Sequence, residues 1–162
     1  MSQWLIDFPP QAAQLPEQNP AWCDVRGDWP VVVFEAGSER SVHFSSTVPP
    51  EYRGQNLEVT VLAAFSGDTQ VSHQAELEVA FERVSAEGGN VRVPQWGPGR
   101  PLRLAVPSEE GKVVAGTAVF SNSEVGSLRG GELFRLRLRL RASGSNFVGR
   151  LELVRVTVRP AN

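Results

Sequence analysis

Apolar and polar residues alternate along most of this chain from Val31 onward. Val42-His43-Phe44-Ser45, Leu57-Glu58-Val59-Thr60-Val61 and Leu77-Glu78-Val79-Ala80-Phe81 each put every second side chain on one apolar face. A period of two is that of a pleated strand with one face in a core and the other in water. Further strands are predicted at 31–35, 91–93, 101–106, 113–121, 132–141 and 149–159. Turn clusters such as Val48-Pro49-Pro50, Ser66-Gly67-Asp68, Glu87-Gly88-Gly89-Asn90 and Gly97-Pro98-Gly99 separate them. No segment of this body keeps helical spacing over ten residues. The pattern predicts an all-β fold, an antiparallel sandwich of roughly eight or nine strands, with a jelly roll favoured and an immunoglobulin-like sandwich as the rival.

Two strands carry extra information. In Phe134-Arg135-Leu136-Arg137-Leu138-Arg139-Leu140-Arg141 four apolar side chains point one way and four arginines the other. Such a row of cations repels itself unless partnered, and Glu76, Glu78 and Glu82, which share one face of another strand, are the candidate partners within the chain or across subunits. In the last strand Leu151 and Leu153 occupy odd positions, whereas Val154, Val156 and Val158 occupy even ones. The apolar face switches at 153–154, which predicts a β-bulge or burial on both faces.

Residues 1–30 read differently, as an extended, irregular N-terminal arm ahead of a sandwich domain at 31–162. The arm holds three of the four tryptophans and five prolines, and proline disfavours helix at its own position and the one before. It also carries Trp4, Leu5, Ile6, Phe8, Trp22 and Trp29, more apolar surface than a solvated tail bears. Its cover is either an open edge of its own sandwich or a neighbouring subunit. We take the second as the working expectation, with these six residues as partner contacts.

Composition narrows the function. Sixteen basic against eighteen acidic residues leave a formal charge of −2 over 162 residues, so no bulk positive field exists to hold nucleic acid or an anionic membrane. The single cysteine, Cys23, excludes an internal disulfide framework and a multi-thiolate metal site. The opening residues lack a basic, apolar leader pattern, so a soluble, non-secreted protein is expected. Fifteen of the sixteen basic residues are arginine, which suits a heat-tolerant protein and equally a GC-rich genome.

Candidate chemistry is sparse. His43 and His73 are thirty residues apart, no paired metal-ligand spacing occurs, and no Gly-x-Ser-x-Gly elbow is present. Glu76 and Glu78 share a strand face at about 7 Å, a separation a glycosidase pair could use, but an ion-pair role is preferred. The loop from Gly126 to Gly131 lacks the Lys-Ser/Thr ending of a phosphate loop and reads as a turn. No enzyme activity, metal or cofactor is expected. Trp96, on the Pro/Gly-rich loop Pro94-Gln95-Trp96-Gly97-Pro98-Gly99, is a candidate glycan contact, because an aromatic held on such a loop can stack on a sugar ring.

The runs Trp29-Pro30-Val31-Val32-Val33-Phe34, Val48-Pro49-Pro50-Glu51-Tyr52-Arg53-Gly54 and Gly131-Glu132-Leu133-Phe134-Arg135-Leu136-Arg137-Leu138, with the closing Leu151-Glu152-Leu153-Val154-Arg155-Val156, resemble the jelly-roll decoration (auxiliary, or cement) capsid proteins of thermophilic tailed bacteriophages over residues 29–159. The resemblance implies a non-enzymatic virion protein on the outer capsid surface, a homotrimer that binds the major capsid protein and stabilises the shell, without nucleic acid or membrane. It implies no catalytic residues. At Ala142-Ser143-Gly144-Ser145 the chain departs from the acidic turn of related sequences. The alternative is a phage tail or fibre module that binds host glycan.

Overall fold

The computed structural model describes residues 3–161, and these form ten strands in two antiparallel sheets. In chain order they are β1 (Ile6–Phe8), β2 (Trp22–Arg26), β3 (Trp29–Glu35), β4 (Ser41–Thr47), β5 (Leu57–Ser66), β6 (Gln74–Val84), β7 (Arg100–Ala105), β8 (Val114–Phe120), β9 (Leu133–Leu140) and β10 (Arg150–Pro160). One sheet runs β2-β3-β10-β5-β8, with β1 also paired to β10; the other runs β4-β9-β6-β7. The eight strands from β3 onward are distributed between the two sheets as in a jelly roll. β1 and β2 are additions to the first sheet.

The alternation seen in the sequence becomes the core. Phe134, Leu136, Leu138 and Leu140 of β9 are buried against the facing sheet, whose inward residues include Val59, Val61, Leu151 and Val156. Phe44, Phe8, Phe134, Phe81 and Phe120 form a continuous run of aromatic contacts, with successive ring centroids 5.2, 6.4, 5.7 and 4.9 Å apart. The predicted defect in β10 is present. Its register against β5 shifts between Leu153 and Arg155, and this lets Leu151 and Leu153 share the core side with Val156 and Val158.

The first thirty residues are extended and irregular between their strands, and part of their apolar surface is covered in cis. Phe8 is buried between Phe44 and Phe134 in the aromatic run, Ile6 packs partly against the core, and Trp4 meets Tyr52 edge-on at 6.1 Å. The chain then crosses to the other sheet and lies along the edge of β4. Gln14 N–H donates to the His43 carbonyl and His43 N–H to the Gln14 carbonyl, Ser41 N–H donates to Asn19, and Ala21 N–H donates to Ser41. It returns to the first sheet as β2, which joins β3 through Gly27 and Asp28, both at positive φ. That two-residue turn has the twist hairpins need, and it carries the strand pair across the predicted boundary at residue 30. Phe8 is thus covered by its own sandwich, and Trp4 and Ile6 are partly covered by it. Leu5 and Trp29 remain about half exposed.

Residues 91–93 are not a strand. Asn90 accepts from Arg92 N–H through its side chain and from Val93 N–H through its carbonyl, a local turn that outcompetes pairing. Val91 and Val93 are exposed.

The sandwich edges are closed in three ways. The N-terminal segment covers β4. On the far side β7 and β8 approach closely at Gly116, where a Cβ would lie 2.6 Å from the Arg103 carbonyl oxygen. At β2, Asp24 accepts from Val25 N–H at 2.8 Å and Arg26 donates to the Val25 carbonyl at 3.0 Å, so side chains occupy main-chain groups an intruding strand would need.

Candidate functional site

The outward face of the β4-β9-β6-β7 sheet gathers most of the residues singled out in the sequence. β9 pairs with β6 in a register that sets Arg139 opposite Glu78, Arg137 opposite Ala80 and Arg135 opposite Glu82. Side-chain pairing follows that register only in part. Arg135 Nε donates to Glu82 Oε1 at 2.6 Å. Glu78 serves three arginines: Oε1 lies 2.7 Å from Arg139 and 3.4 Å from Arg137, and Oε2 lies 2.8 Å from Arg141. Glu76 turns the other way, to Arg103 of β7 at 3.1 Å.

Trp96 does not stand free on its loop. The guanidinium carbons of Arg135 and Arg137 lie 4.9 and 4.8 Å from its ring centroid, and the His43 ring lies 5.0 Å away. Two main-chain bonds hold the loop in place: Gln95 N–H donates to Glu82 Oε2, and Gly97 N–H donates to the Phe81 carbonyl at 2.8 Å. Gly97 is required by the approach itself, since a Cβ there would lie 2.7 Å from the Glu124 carbonyl oxygen. Ala80 is fully buried although its register puts it among the outward positions of β6. The indole is partly buried.

This packing sets the electrostatics. His43, half-buried and beside Arg135 and Arg137, has its pKa lowered to about 4, burial being the larger cause and the two cations the next. Arg137 is also pushed down, by burial and then by Arg139, with Glu78 opposing. Glu76 and Glu78 are both engaged by arginines, and among the described residues no group of three or more metal-ligating side chains converges.

The sequence reading missed two buried acids. Glu152, 3% exposed, lies on the other sheet and pairs with Arg26 of β2; burial raises its pKa and Arg26 opposes that. Trp22 lies beside this pair, flanked by Arg40 and Arg150, each 5.7 Å from its ring. Asp68 accepts from His73 Nδ1 at 2.7 Å, from Val148 N–H at 2.9 Å and from Gln70 N–H at 2.9 Å. Burial pushes the Asp68 carboxyl up, but these bonds outweigh it and hold it below the usual range. The sequence signal for Glu152 was an acid between Leu151 and Leu153, whereas Asp68 lies in the turn cluster Ser66-Gly67-Asp68.

No protein-family model matches the sequence, and no curated protein matches it. Solved structures do match over nearly the whole chain. The xylan-binding module CBM15 is similar at TM-score 0.56 and 8% identity, covering 99% of each chain. The CBM22-1 xylan-binding domain of Paenibacillus barcinonensis Xyn10C is similar at TM-score 0.50 and 14% identity, covering 96% of this chain and 92% of that one. The C-terminal CBM6 of LamC from Zobellia galactanivorans is similar at TM-score 0.50 and 8% identity, covering 95% and 98%. These likenesses are of fold, and together with the strand order they establish a jelly-roll β-sandwich.

Proposed function

We propose that this chain is a non-enzymatic recognition module that binds carbohydrate through the outward face of the β4-β9-β6-β7 sheet. The observation that carries the reading is the placement of Trp96. A partly exposed indole is held rigidly against two guanidinium groups and an imidazole, on a sheet face lined with hydrogen-bonding groups. An aromatic ring fixed beside planar donors suits a sugar, which offers an apolar ring face and a rim of hydroxyls. Three jelly-roll neighbours of matching length are carbohydrate-binding modules, which supports the same reading. The carboxylates engaged by arginine favour binding over catalysis.

The test is affinity electrophoresis of the full chain through gels containing xylan or laminarin. Retardation that is lost in Trp96→Ala while the thermal transition is retained supports the reading; unretarded migration through every polysaccharide overturns it.

A second reading, decoration of a virion shell as a trimer on the major capsid protein, is favoured by one observation. Leu5, Leu15, Val25 and Trp29 are each about half exposed and all lie within the first thirty residues, although the segment itself is anchored in cis. Co-sedimentation with undecorated shells, abolished by Trp29→Ser and Leu5→Ser together, would support this reading over the first.

A further inference from the structure

The arginine row is not neutralised by its partners. On the outward face Arg103, Arg135, Arg137, Arg139 and Arg141 meet Glu76, Glu78 and Glu82, so five cations face three anions in a chain whose overall charge is −2. Glu39 stands at the margin, where its carboxylate accepts from Ala142 N–H at 3.2 Å, and it leaves the row positive. The excess is concentrated at Glu78, one carboxylate shared by three guanidinium groups. Arg139 and Arg141 each keep over a third of their side-chain surface exposed, and Arg103 keeps 59%. Arg103 lines an open, shallow hollow together with Gln74, Glu76, Ser143, Ser145 and Asn146. The hollow adjoins the end of the row, because the Arg141 main-chain N–H donates to the Glu76 carbonyl and Ser145 Oγ donates to the Arg141 carbonyl.

Guanidinium groups recognise carboxylates through paired N–H donors, and Glu78 shows where a carboxylate settles between Arg139 and Arg141. Small polar groups beside such a cationic spot suit a ligand that carries both a carboxylate and hydroxyls. We propose that this face binds an acidic polysaccharide, one bearing uronic acid residues, with one ligand carboxylate on the exposed edges of Arg139 and Arg141, another on Arg103, and a sugar ring in the adjoining hollow. The proposal rests on the carbohydrate-binding reading and adds to it the ligand's charge and a second contact point away from Trp96. An acidic protein surface would be drawn by the same charge but would have no use for the hollow.

Calorimetric titration of the full chain with polygalacturonate, unsubstituted xylan and poly-glutamate separates the possibilities. Polygalacturonate is expected to bind more tightly than the other two. Its Kd should rise about tenfold in Arg139→Gln and again in Arg103→Gln, the size expected for losing one charge-assisted contact. Glu78→Gln removes the internal competitor and should tighten binding. Arg103, the most exposed of the three, is the variant least able to disturb folding, and unchanged thermal transitions verify this. Equal affinity for xylan and polygalacturonate overturns the proposal while leaving the carbohydrate reading intact. Poly-glutamate binding as tight as polygalacturonate, or polygalacturonate binding indifferent to Arg103→Gln and Arg139→Gln, overturns it too. Binding of no polysaccharide at all overturns both.

Discussion

Glu82 and Arg135 are joined across β6 and β9 by a 2.6 Å hydrogen bond, and the second oxygen of the same carboxylate holds Gln95 N–H, so one buried acid ties the sheet to the loop that carries Trp96. Removing it acts on both at once. Glu82→Ala should destabilise the fold by about 2–4 kcal/mol, because it leaves a largely buried guanidinium unpaired and frees the loop. Equilibrium urea unfolding measures the loss. In the Glu82→Ala, Arg135→Ala double variant part of that loss should be recovered; strict additivity would show that the pair is not coupled.

His43 makes stability depend on acid. Its native pKa of about 4 lies below the ordinary 6.5, so the unfolded chain takes up a proton that the native state refuses. Stability from this group is complete above pH 6.5 and is lost progressively as pH falls toward 4. His43→Gln should flatten that part of the profile, measured as urea midpoints between pH 7 and pH 4, while further loss at lower pH remains because Asp68, Glu124 and Glu132 are held below their ordinary values. A His43 imidazole titrating near 6.5 by NMR would contradict the packing described.

Gly97→Ala tests the loop's seat by sterics alone. The added methyl meets the carbonyls of Glu124 and Phe81, main-chain atoms that cannot swing aside. A destabilisation of about 1–3 kcal/mol is expected, with a shifted Trp96 indole N–H resonance. Retention of both wild-type values would mean that the loop does not lie where it is described.

Phe8→Ala tests the cis anchoring of the N-terminal segment. Phe8 touches Phe44 and Phe134 and is 4% exposed, so truncation should lower stability by about 3 kcal/mol in a dilute sample. A variant as stable as the parent would return β1 to the role of a loose arm.

How far the fold could be read beforehand depended on where its causes lie. β9 and the bulge of β10 were legible because both are written in the parity of neighbouring residues: Leu136 and Leu138 against Arg137, Leu153 against Val154. β1 and β2 were not, since three residues at 6–8 carry no period, and β2 is a strand only because Gly27 and Asp28 turn it back onto β3. The glutamates facing the arginine row could be named from their shared face, but that Glu78 holds three of the arginines while Glu76 turns to Arg103 depends on side-chain reach. The position of Trp96 was hidden for a related reason. It follows from a close backbone approach at Gly97 and from the bond of Gln95 N–H to Glu82, and neither signals its partner in the linear sequence.

The way Asp24 and Arg26 engage the main chain of Val25 bears on what can gather around this protein. An incoming chain at that hem would have to break both local bonds before making its own, so ribbon-like growth from copy to copy is blocked there at its first step. Any contact made along that hem is left to side chains such as Val25 and Trp29 rather than to backbone.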